Sequence, residues 1–555
     1  MVNYDLAVLQ NGSDIRGVAL PGVKGESVTI TPDTTSRIAK GFLYSLTLST
    51  GKAPSELKIA IGRDSRLSGE ELLDVFAQAL ISYGVHVLDC GLASTPAMFM
   101  STVFPQYRAD GAVMITASHL PWNRNGFKFF TESGGLDKGD ITDILTFAES
   151  TQILSRLSTE PMNPNKGARV STALMQTYST SLRKKIIEAI AAATPESPLF
   201  PKANSDEHRG ENGGEGKGIH KPDEKPLSGM KICVDAGNGA GGFYATEVLK
   251  PLGADISSSR YLNPDGSFPN HPPNPENREA MASVCEGVLS GECDLGLIFD
   301  TDVDRSSAVD ENGKAISGNA IVAMAAALIA DKHPGSTVVT DSVTSDMLSE
   351  YLEDVLKLKH LRFKRGYKNV INKAIELNKE GVPSYLAIET SGHAAYKDNF
   401  FLDDGAFLAT LIVIRAALLF RQGKGISSVL NKLSEPAESS EIRLPINSSD
   451  FAACAQEALS AVSSLDGTST ALGKHNAPIV KCSVVHPNYE GVRISFCGDV
   501  SGWFLIRRSL HDPILPLNIE SNIPGGVAAI KKLLKTTLGR VSGVDVSPLC
   551  DKIEE

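Results

Sequence analysis

The sequence predicts an α/β protein built from three similar mixed α/β domains and a smaller C-terminal α+β domain. Three segments share one plan, in which an apolar strand leads through a polar loop into an amphipathic helix: Leu57–Gly91, Met230–Ser259 and Ser336–Gly366. A second short apolar strand that ends in a polar loop follows each of them. Strands that alternate with helices in a repeated unit favour largely parallel sheets.

The repeat also indicates where the domains divide. Lys202–Gly229 is polar, rich in glycine and almost free of large apolar residues, so we interpret it as a flexible surface insertion. Thr172–Ile190 has helical periodicity and is expected to end the first domain. After Glu435, the strands EIRLPI and YEGVRISF and the helical stretch VAAIKKLLKTTL indicate the α+β domain. We therefore predict domains at residues 1–195, 196–318, 319–437 and 438–555.

Composition limits the partners of this chain. Its 555 residues carry a formal net charge of -11, which argues against general binding to nucleic acid or to anionic membranes. Eight cysteines without a CxxC pair indicate reduced thiols in an intracellular protein. The longest apolar stretch, Gly405–Phe420, is interrupted by Thr410 and Arg415, so we predict a core helix rather than a membrane span.

The N-terminal sequence MVNYDLAVLQNGSDIRG shows no targeting segment. It lacks the charged-then-apolar pattern of a signal peptide and the arginine-rich pattern of a transit peptide. We therefore expect a cytoplasmic protein, or one of the plastid stroma if a transit peptide is missing from this chain.

Three polar loops follow the second strands of the repeats. They are TASH at 116–119, DTDVDR at 300–305 and ETSGH at 389–393. Ligands of open α/β sheets bind beyond the carboxyl ends of the strands, so we expect these loops to carry the chemistry.

Asp300, Asp302 and Asp304 alternate along the chain directly after an apolar strand. Alternate residues of an extended backbone lie on one side, and carboxylate oxygens suit the hard cation Mg2+. An EF-hand loop is excluded, because its sixth residue has to be glycine and is Arg305 here. An ordinary acidic turn is the alternative to a metal site.

Several arginines stand at the starts of loops, where guanidinium groups are natural anchors for phosphate. Arg16 lies in GSDIRG, Arg63 and Arg66 lie in GRDSRLSG, and Arg507 and Arg508 lie in LIRRSLHDP. Any one of them could instead be a solvated surface residue, and we assign Arg508 to that class.

Glu389, Ser391 and His393 share the third loop. A lone histidine is more often structural than catalytic, but this one follows a carboxylate and a hydroxyl at a strand end. We expect Glu389 and Ser391 to hydrogen-bond sugar hydroxyls, and His393 to transfer protons near neutral pH.

Ser118, judged from its own loop, could be a nucleophile, a helix cap or a turn residue. The GxSxG motif of serine hydrolases is absent here, and activation by His119 is not expected because adjacent side chains on extended backbone point apart. A hydrolase of the haloacid-dehalogenase type would use the first aspartate of DxD and leave TASH unexplained. We therefore expect Ser118 to carry phosphate beside a divalent cation.

Together, these loops resemble those of the α-D-phosphohexomutase superfamily over nearly the whole chain. TASHLPWNRNGFK is similar to its phosphoserine loop, TASHNPxxxNGxK, and DTDVDR is similar to its metal loop, DxDxDR. ETSGH resembles its sugar-binding loop, and RRSLHDP stands where its phosphate-binding loop is expected. GSDIRG and GRDSRLSG match its N-terminal motifs. The resemblance implies four domains around a central cleft.

Within the superfamily, the chain is most similar to the phosphoglucomutase/phosphomannomutase branch. ETSGHAAYKDNFFLDDG and GWFLIRRSLHDPILPLNIES resemble motifs of that branch, and the SGTEP ending expected of phosphoglucosamine mutases is absent. FKRGYKNVI, which contains Gly366 and Tyr367, occupies the place of the loop that helps to sort sugars.

The chain departs from the family pattern in two loops. Leu120 replaces the usual asparagine of TASHNP. Leu510, His511 and Asp512 replace small polar residues that cradle phosphate, and Asp512 would repel a phosphate unless its carboxylate turns away. These changes bear on phosphate affinity and on the choice of substrate.

The resemblance implies an isomerase that interconverts hexose 1-phosphates and hexose 6-phosphates of glucose, mannose or both. It would work through a phosphoserine and a hexose 1,6-bisphosphate, which also serves as activator. Ser118 would carry the phosphate beside Mg2+ held by Asp300, Asp302 and Asp304. The other implied site residues are the catalytic Lys128, His393 and Arg16; the substrate-binding Arg305, Gly366, Tyr367, Glu389, Ser391, Arg507 and Ser509; and the phosphate-loop candidates Arg63, His119 and His511.

The resemblance further implies hexose phosphates as partners, no nucleic acid or membrane partner, and a monomer or weak dimer. Two alternatives stay open at this point. One is a phosphoglucosamine mutase. The other is a weakly active or regulatory protein that keeps the fold and binds sugar phosphates.

Overall fold

The structure is a computed structural model that describes residues 5–152, 167–193, 224–471, 479–497, 501–509 and 512–550. The chain divides into two compact units, one made of residues 1–333 and 391–431 and the other of residues 334–390 and 432–555. The predicted insertion at Lys202–Gly229 lies outside the described residues except for 224–229. The four domain boundaries stay a prediction.

An eight-stranded mixed sheet opens the first unit. Strands β5, β3, β4 and β8 run parallel, and β6, β2 and β1 extend the β5 edge in antiparallel fashion, with β7 paired to β6. The strands are β1 Gln10–Asn11, β2 Asp14–Val18, β3 Lys58–Arg63, β4 His86–Leu92, β5 Gly111–Ile115, β6 Arg124–Thr131, β7 Gly134–Gly135 and β8 Ala168–Ser171. The helices are α1 Pro32–Thr50, α2 Gly69–Ile81, α3 Thr95–Val103, α4 Lys138–Glu149 and α5 Leu174–Ala192.

Aromatic side chains fill the core beside this sheet. The ring centroids of Phe42 on α1 and Phe129 on β6 are 4.7 Å apart, and those of Phe76 on α2 and Phe127 on β6 are 5.5 Å apart. All five residues of β5 are buried, as expected of a strand covered on both faces. The sheet therefore holds the end of β5, where the TASH loop begins, in a rigid surround.

A four-stranded sheet in the order β12-β11-β10-β9 follows, with β9 and β10 parallel. Its elements are β9 Ile232–Asp235, α6 Arg278–Gly291, β10 Leu295–Phe299, β11 Ser306–Val309, β12 Ala315–Ile316 and α7 Asn319–Ala330. The amphipathic helix predicted after β9 is wrong in type, because Tyr244–Leu249 forms a short π-helix. Pro251 limits its extension, since proline lacks the backbone N–H that a further turn needs.

Residues 334–390 of the second unit contain the third repeat. Strands β13, β14 and β15 are parallel, with β13 between the other two. The elements are β13 Thr337–Thr340, α8 Asp346–Glu350, β14 Lys359–Arg362, α9 Tyr367–Lys379 and β15 Ser384–Ile388. The first unit then resumes with the antiparallel pair β16 Ala394–Tyr396 and β17 Leu402–Asp403, followed by α10 Gly405–Phe420.

The predicted bounds of the core helix α10 are confirmed, and 13 of its residues are buried. None of the helices in the described part of the chain is both long and apolar enough to cross a membrane.

The second unit ends in a six-stranded antiparallel sheet of order β18-β23-β22-β21-β20-β19. Its elements are β18 Glu438–Pro445, α11 Phe451–Ser463, β19 Ser469–Ala471, β20 Ile479–Val484, β21 Val492–Cys497, β22 Gly502–Ile506, β23 Ile514–Ser521 and α12 Gly526–Leu538. Alternate residues of β23 are buried, as expected of a sheet covered on one face. This sheet with its two helices confirms the predicted α+β character of the C-terminal part.

The three polar loops lie where the repeat predicts. Strand β5 is parallel to β3, β10 is parallel to β9, and β15 is parallel to β13. Each loop therefore begins at the carboxyl end of a strand that runs parallel to the first strand of its repeat.

Asp404 ties α5, α10 and the loop before α10 together. It caps α10 by accepting a hydrogen bond from Phe407 N at 2.8 Å, and it also accepts from the Tyr178 hydroxyl at 2.7 Å and from Asn399 at 2.9 Å. The carboxyl is buried. Burial raises its pKa from the usual 3.8 to about 6, although the three hydrogen bonds act in the opposite direction.

We predict that Asp404 contributes more to the stability of the folded chain at acidic than at neutral pH. Because its pKa is higher in the folded than in the unfolded chain, the folded state holds the proton more tightly. This contribution is present below about pH 4 and is lost as the pH rises through about 6. The two pKa units correspond to at most about 3 kcal/mol.

Urea titrations from pH 4 to pH 7 check this prediction. The free energy of unfolding of the wild type minus that of Asp404→Asn should fall as the pH rises. Asp143→Asn, exposed on α4, is the matched surface control. A wild-type-minus-Asp404→Asn difference that does not change with pH would contradict the prediction.

Candidate active site

The serine loop leaves β5 in a sharply bent conformation. Ser118 is buried and has a φ of +49°, in the left-handed region that side chains other than glycine rarely adopt. Its N–H donates to Thr116 Oγ1 at 2.8 Å, and that hydroxyl donates to Asp64 at 2.7 Å. The local hydrogen bonds therefore hold a strained backbone, and strain of this kind is concentrated at functional sites.

Arg66 holds the same loop through its carbonyl oxygens. Its guanidinium donates to the carbonyls of Ser118 at 2.5 Å, Leu120 at 2.6 Å, Pro121 at 2.7 Å and Arg124 at 3.0 Å. The side chain is buried. Both Nη groups of Arg66 are therefore engaged by the backbone, which argues against the phosphate-anchoring role that the sequence left open for it. Leu120 takes part through its carbonyl, a contact that any residue at this position can make.

Asp300, Asp302 and Asp304 form a compact buried cluster beyond the end of β10. One ligand oxygen from each carboxylate lies within 4.8 Å of the others, an arrangement that can hold a metal ion. Ser118 Oγ donates to Asp300 at 3.0 Å, so the serine loop and the acidic loop meet. Val303, between two of the carboxylates, has a φ of +67°.

The pKa values of the clustered carboxylates depend on one another's charge and on the cations nearby. Burial, and then the carboxylates of Asp304 and Asp302, raise the pKa of Asp300 well above its usual range. Burial acts in the same direction on Asp304, but the positive charges of Lys128 and His393 outweigh it and lower that pKa. A cation at this place would relieve the repulsion between the carboxylates.

Lys128 and Thr95 contact the cluster directly. Lys128 on β6 forms a short ion pair with Asp304 and lies 3.1 Å from Asp302. Thr95, at the start of α3, donates its hydroxyl to Asp302 at 2.5 Å, and its N–H donates to the Asp302 carbonyl at 2.8 Å. Thr95 was not predicted, since nothing in GLASTPA indicates that this helix end faces an acidic loop.

Arg305 links the cluster to a loop that the sequence analysis did not select. Its guanidinium lies 3.2 Å from Asp300 and 3.2 Å from Asn274, and 3.5 Å from Glu276. The same Nη2 that faces Asp300 also lies 3.4 Å from Ser118 Oγ. The polar run PNPEN at 273–277 was the available signal for these partners.

His119 lies beside Ser118, contrary to the expectation that the two side chains point apart. Its Nδ1 is 3.3 Å from Ser118 Oγ. The expectation was wrong because it assumed extended backbone, whereas the positive φ of Ser118 turns the two side chains together.

His393 is paired with a carboxylate of the same segment. Its Nδ1 lies 2.5 Å from Asp403 on β17 and 4.0 Å from Asp304. Burial opposes its protonation, but the charges of Asp403 and Asp304 prevail and raise its pKa to about 9. Asp403 stands in the DDG part of the family-like motif and could have been selected from the sequence.

Two predicted arginines of the first unit have other partners close by. Arg16 on β2 donates to Asp14 at 2.7 Å. Arg63 donates to the Asp64 carbonyl at 3.1 Å and lies 3.7 Å from Glu70. The part of the first unit that the structure describes thus brings together Ser118, His119, Lys128, Asp300, Asp302, Asp304, Arg305 and His393.

The second unit contains three of the candidates for sugar binding, Gly366, Tyr367 and Glu389. Glu389, directly after β15, accepts a hydrogen bond from Gly366 N at 2.6 Å. Gly366 has a φ of +113°, which favours glycine, and Tyr367 begins α9 there. Ser391 is buried and belongs to the first unit, two residues before His393.

Glu490 organises the region around Arg507. Its carboxylate accepts from Ser342 Oγ at 2.5 Å and from Arg365 N at 3.1 Å, and it lies 3.4 Å from Arg507 Nη1. Burial raises the pKa of the nearby Asp341, and the charges of Arg365 and Arg507 oppose that shift. The stretch YEGVRISF predicts a strand, but nothing in it indicates the role of Glu490.

Arg493 of the same stretch is buried and fixes the loop after β13. It donates to the carbonyls of Ser342 and Thr344 at 3.1 Å each and to Asp346 at 2.8 Å. Its guanidinium carbon also lies 3.6 Å from the ring centroid of Trp503. Arg493 therefore holds Ser342 in place, so that the Ser342 hydroxyl can donate a hydrogen bond to Glu490.

The loop after β22 is described in part. Ser509 is half-buried, and its Oγ accepts from Asp512 N at 3.1 Å. Asp512 is exposed, as is Arg508, in agreement with the surface position we assigned to that arginine. Leu510 and His511 lie outside the described residues.

Comparison with known proteins now places the chain in a family. The descriptions "Phosphoglucomutase/phosphomannomutase, alpha/beta/alpha domain" I, II and III match residues 8–152, 217–313 and 317–436. Phosphomannomutase/phosphoglucomutase of Pseudomonas aeruginosa is 25% identical over 530 residues, which are 95% of this chain and 96% of that protein. Phosphoglucomutase/phosphomannomutase of Thermococcus kodakarensis is 29% identical over 420 residues, which are 74% of this chain and 79% of that protein.

A solved structure shows the same fold. The phosphoglucomutase/phosphomannomutase family protein of Burkholderia thailandensis matches with a TM-score of 0.68 at 22% identity, covering 96% of this chain and 98% of that one. The predicted fold class and the mutase class of enzyme are confirmed. By these matches and its own loops, the chain belongs to the phosphoglucomutase/phosphomannomutase family of the α-D-phosphohexomutase superfamily.

Proposed function

We propose that this chain interconverts hexose 1-phosphate and hexose 6-phosphate of glucose, mannose or both, through a phosphoserine at Ser118 and a hexose 1,6-bisphosphate. The observation that carries the proposal is the 3.0 Å hydrogen bond from Ser118 Oγ to Asp300, inside a buried cluster of three carboxylates. Relatives named for both mannose and glucose activities support this choice of sugars.

Mg2+ fits the carboxylate cluster. Asp300, Asp302 and Asp304 would hold it together with an oxygen of the phosphoserine. Oδ1 of Asp302 and Oδ1 of Asp304 are buried and accept no hydrogen bond from the described residues, so both oxygens have lone pairs available for a hard cation. Once bound, the cation would neutralise charge on the phosphoryl group during transfer.

The residues around Ser118 supply the remaining requirements of phosphoryl transfer. The bond from phosphorus to Ser118 Oγ breaks, a bond to a sugar oxygen forms, and the sugar hydroxyl loses its proton. Lys128 and His393 are the proposed proton carriers, and Arg16 and Arg305 are proposed to stabilise the phosphoryl group. The 3.4 Å distance from Arg305 to Ser118 Oγ supports that role.

In the second unit, Arg507 and Ser509 are the proposed ligands of the phosphate that does not react. Arg507 is buried, and its Nε makes no hydrogen bond with any described residue, which leaves a donor for an anion. Glu389 and Ser391 are each proposed to bind sugar hydroxyls, and Gly366 and Tyr367 would contribute to the choice of sugar. The bisphosphate would turn over between its two phosphate transfers.

We predict that Ser118→Ala abolishes both phosphorylation and turnover. Purified wild type should carry phosphate on the Ser118 peptide by mass spectrometry, and the variant should carry none there. Turnover of glucose 1-phosphate with Mg2+ and glucose 1,6-bisphosphate should fall by ~10³-fold or more, because the acceptor oxygen is gone. Ser290→Ala, exposed on α6, is the matched control and should retain activity.

The same coupled assay separates the alternatives. Rates with glucose 1-phosphate or mannose 1-phosphate that exceed those with glucosamine 1-phosphate would support the proposal. A preference for glucosamine 1-phosphate would indicate a phosphoglucosamine mutase instead. No turnover of any hexose phosphate by protein phosphorylated on Ser118 would contradict the proposal.

We predict that Mg2+ stabilises metal-depleted protein through the carboxylate cluster. A ligand that binds only the folded state at 100 times its Kd adds about 2.7 kcal/mol, so the thermal unfolding midpoint should rise with added MgCl2. Asp302→Asn should remove this rise, whereas Glu286→Gln, exposed on α6, should preserve it. An equal rise for wild type and Asp302→Asn would place the ion elsewhere.

We predict that Arg507→Gln weakens substrate binding more than it slows the chemical step. Loss of a charged donor to phosphate should raise the KM for glucose 6-phosphate by ~10-fold or more, with a smaller change in kcat. The neighbouring Arg508 is exposed and provides the matched control, Arg508→Gln, whose steady-state constants should resemble those of the wild type. Equal effects of the two substitutions would argue against a specific role for Arg507.

A further inference from the structure

The first unit contains a cavity of about 520 Å³, which falls in the size range of small-molecule sites. It lies between α5, α7, α10 and the segment that joins β16 to β17. None of the residues assigned to the candidate active site lines it. The proposed mutase reaction therefore leaves this cavity without a role.

One side of the cavity is apolar. Phe407 on α10 is buried, and Tyr396 on β16 and Leu411 on α10 also line the cavity. Aromatic and aliphatic walls of this kind favour an apolar or aromatic ligand body.

The remaining wall carries more positive than negative charge, in a chain whose net charge is -11. The cations are Lys184, Lys185, Lys332 and Arg415, and the carboxylates are Glu188 and Asp398. Each carboxylate lies near one basic side chain. Lys184 Nζ is 3.7 Å from Glu188 Oε1, and His333 Nε2 is 3.9 Å from Asp398 Oδ2.

Lys185 and Lys332 form no hydrogen bond through their side chains and no ion pair with any residue that the structure describes. The Lys185 ammonium instead lies 4.7 Å from the ring centroid of Phe407. Burial lowers the pKa of Lys185. The positive charge of Lys332 lowers it further, whereas the negative charge of Asp398 raises it. A half-buried ammonium without an ionic partner is costly, and an anion in the cavity would remove that cost.

We infer that this cavity is a second binding site, for a small organic anion whose apolar or aromatic body lies against Phe407 and Leu411 and whose negative group meets Lys185 and Lys332. A bare phosphate ion would leave the apolar wall uncovered. A neutral aromatic molecule would leave the half-buried ammonium of Lys185 uncompensated. The combination of both walls selects a ligand that has both parts.

Fluorescence titration of the full chain with 1-anilinonaphthalene-8-sulfonate tests the site. This probe has an aromatic body and one sulfonate, and its uncharged analogue, N-phenyl-1-naphthylamine, lacks the sulfonate. The anionic probe should bind more tightly than the neutral one, and added salt should weaken its binding. Inorganic phosphate at matched ionic strength should not displace it.

Two substitutions locate the bound probe. Lys185→Glu should weaken probe binding by about tenfold or more, because it reverses a charge beside the anion. Ala189→Phe on α5 should weaken it by filling the cavity. The control Lys532→Glu makes the same charge change on the exposed face of α12 and should leave binding unchanged.

Three results would overturn the inference. They are no saturable binding of the anionic probe, unchanged binding in both Lys185→Glu and Ala189→Phe, and full displacement of the probe by glucose 1,6-bisphosphate. The last result would place the probe in the active site. None of these results depends on whether the chain turns over hexose phosphates, so the mutase proposal is tested separately.

Discussion

The burial of three carboxylates within 4.8 Å of one another is the constraint on which the chemistry of the first unit depends. Such a cluster is unfavourable unless positive charge lies close to it. Lys128 supplies part of that charge from β6, and Arg305 supplies part from the acidic loop itself. Asp302 and Asp304 each have one buried oxygen that accepts no hydrogen bond from the described residues, which leaves lone pairs that a cation could use.

The serine loop is held by a different kind of interaction, and this separation has a functional consequence. Arg66 fixes the loop through backbone carbonyls, and Thr116 fixes it through the Ser118 N–H. Neither contact uses Ser118 Oγ, which is left to face Asp300 and Arg305. A phosphate added to that oxygen would therefore leave the loop's own support intact.

More of the fold than of the site could be predicted from the sequence. Strand–loop–helix repeats place TASH, DTDVDR and ETSGH at strand ends, because hydrophobic periodicity reports burial directly. The π-helix at Tyr244–Leu249 was not predictable, since the apolar pattern alone does not distinguish it from an α-helix. The contact between Ser118 and His119 was also missed, because it depends on a positive φ that tertiary hydrogen bonds impose. The contacts of Arg66 and Glu490 were not predicted for a related reason: the sequence does not reveal whether a charged side chain contacts a ligand or another part of the chain.

Glu490 changes how the departures in the phosphate loop should be understood. From the sequence, Asp512 was the carboxylate that could repel phosphate, yet it is exposed, and Glu490 is the carboxylate that lies near Arg507. At 3.4 Å and through a single Nη1 contact, Glu490 orients the guanidinium without using all of its donors. A phosphate would therefore meet an arginine that is already positioned and would share it with Glu490. Under the proposed function, the replacement of small polar residues at 510–512 removes auxiliary phosphate ligands, while the proposed cationic anchor, Arg507, is kept.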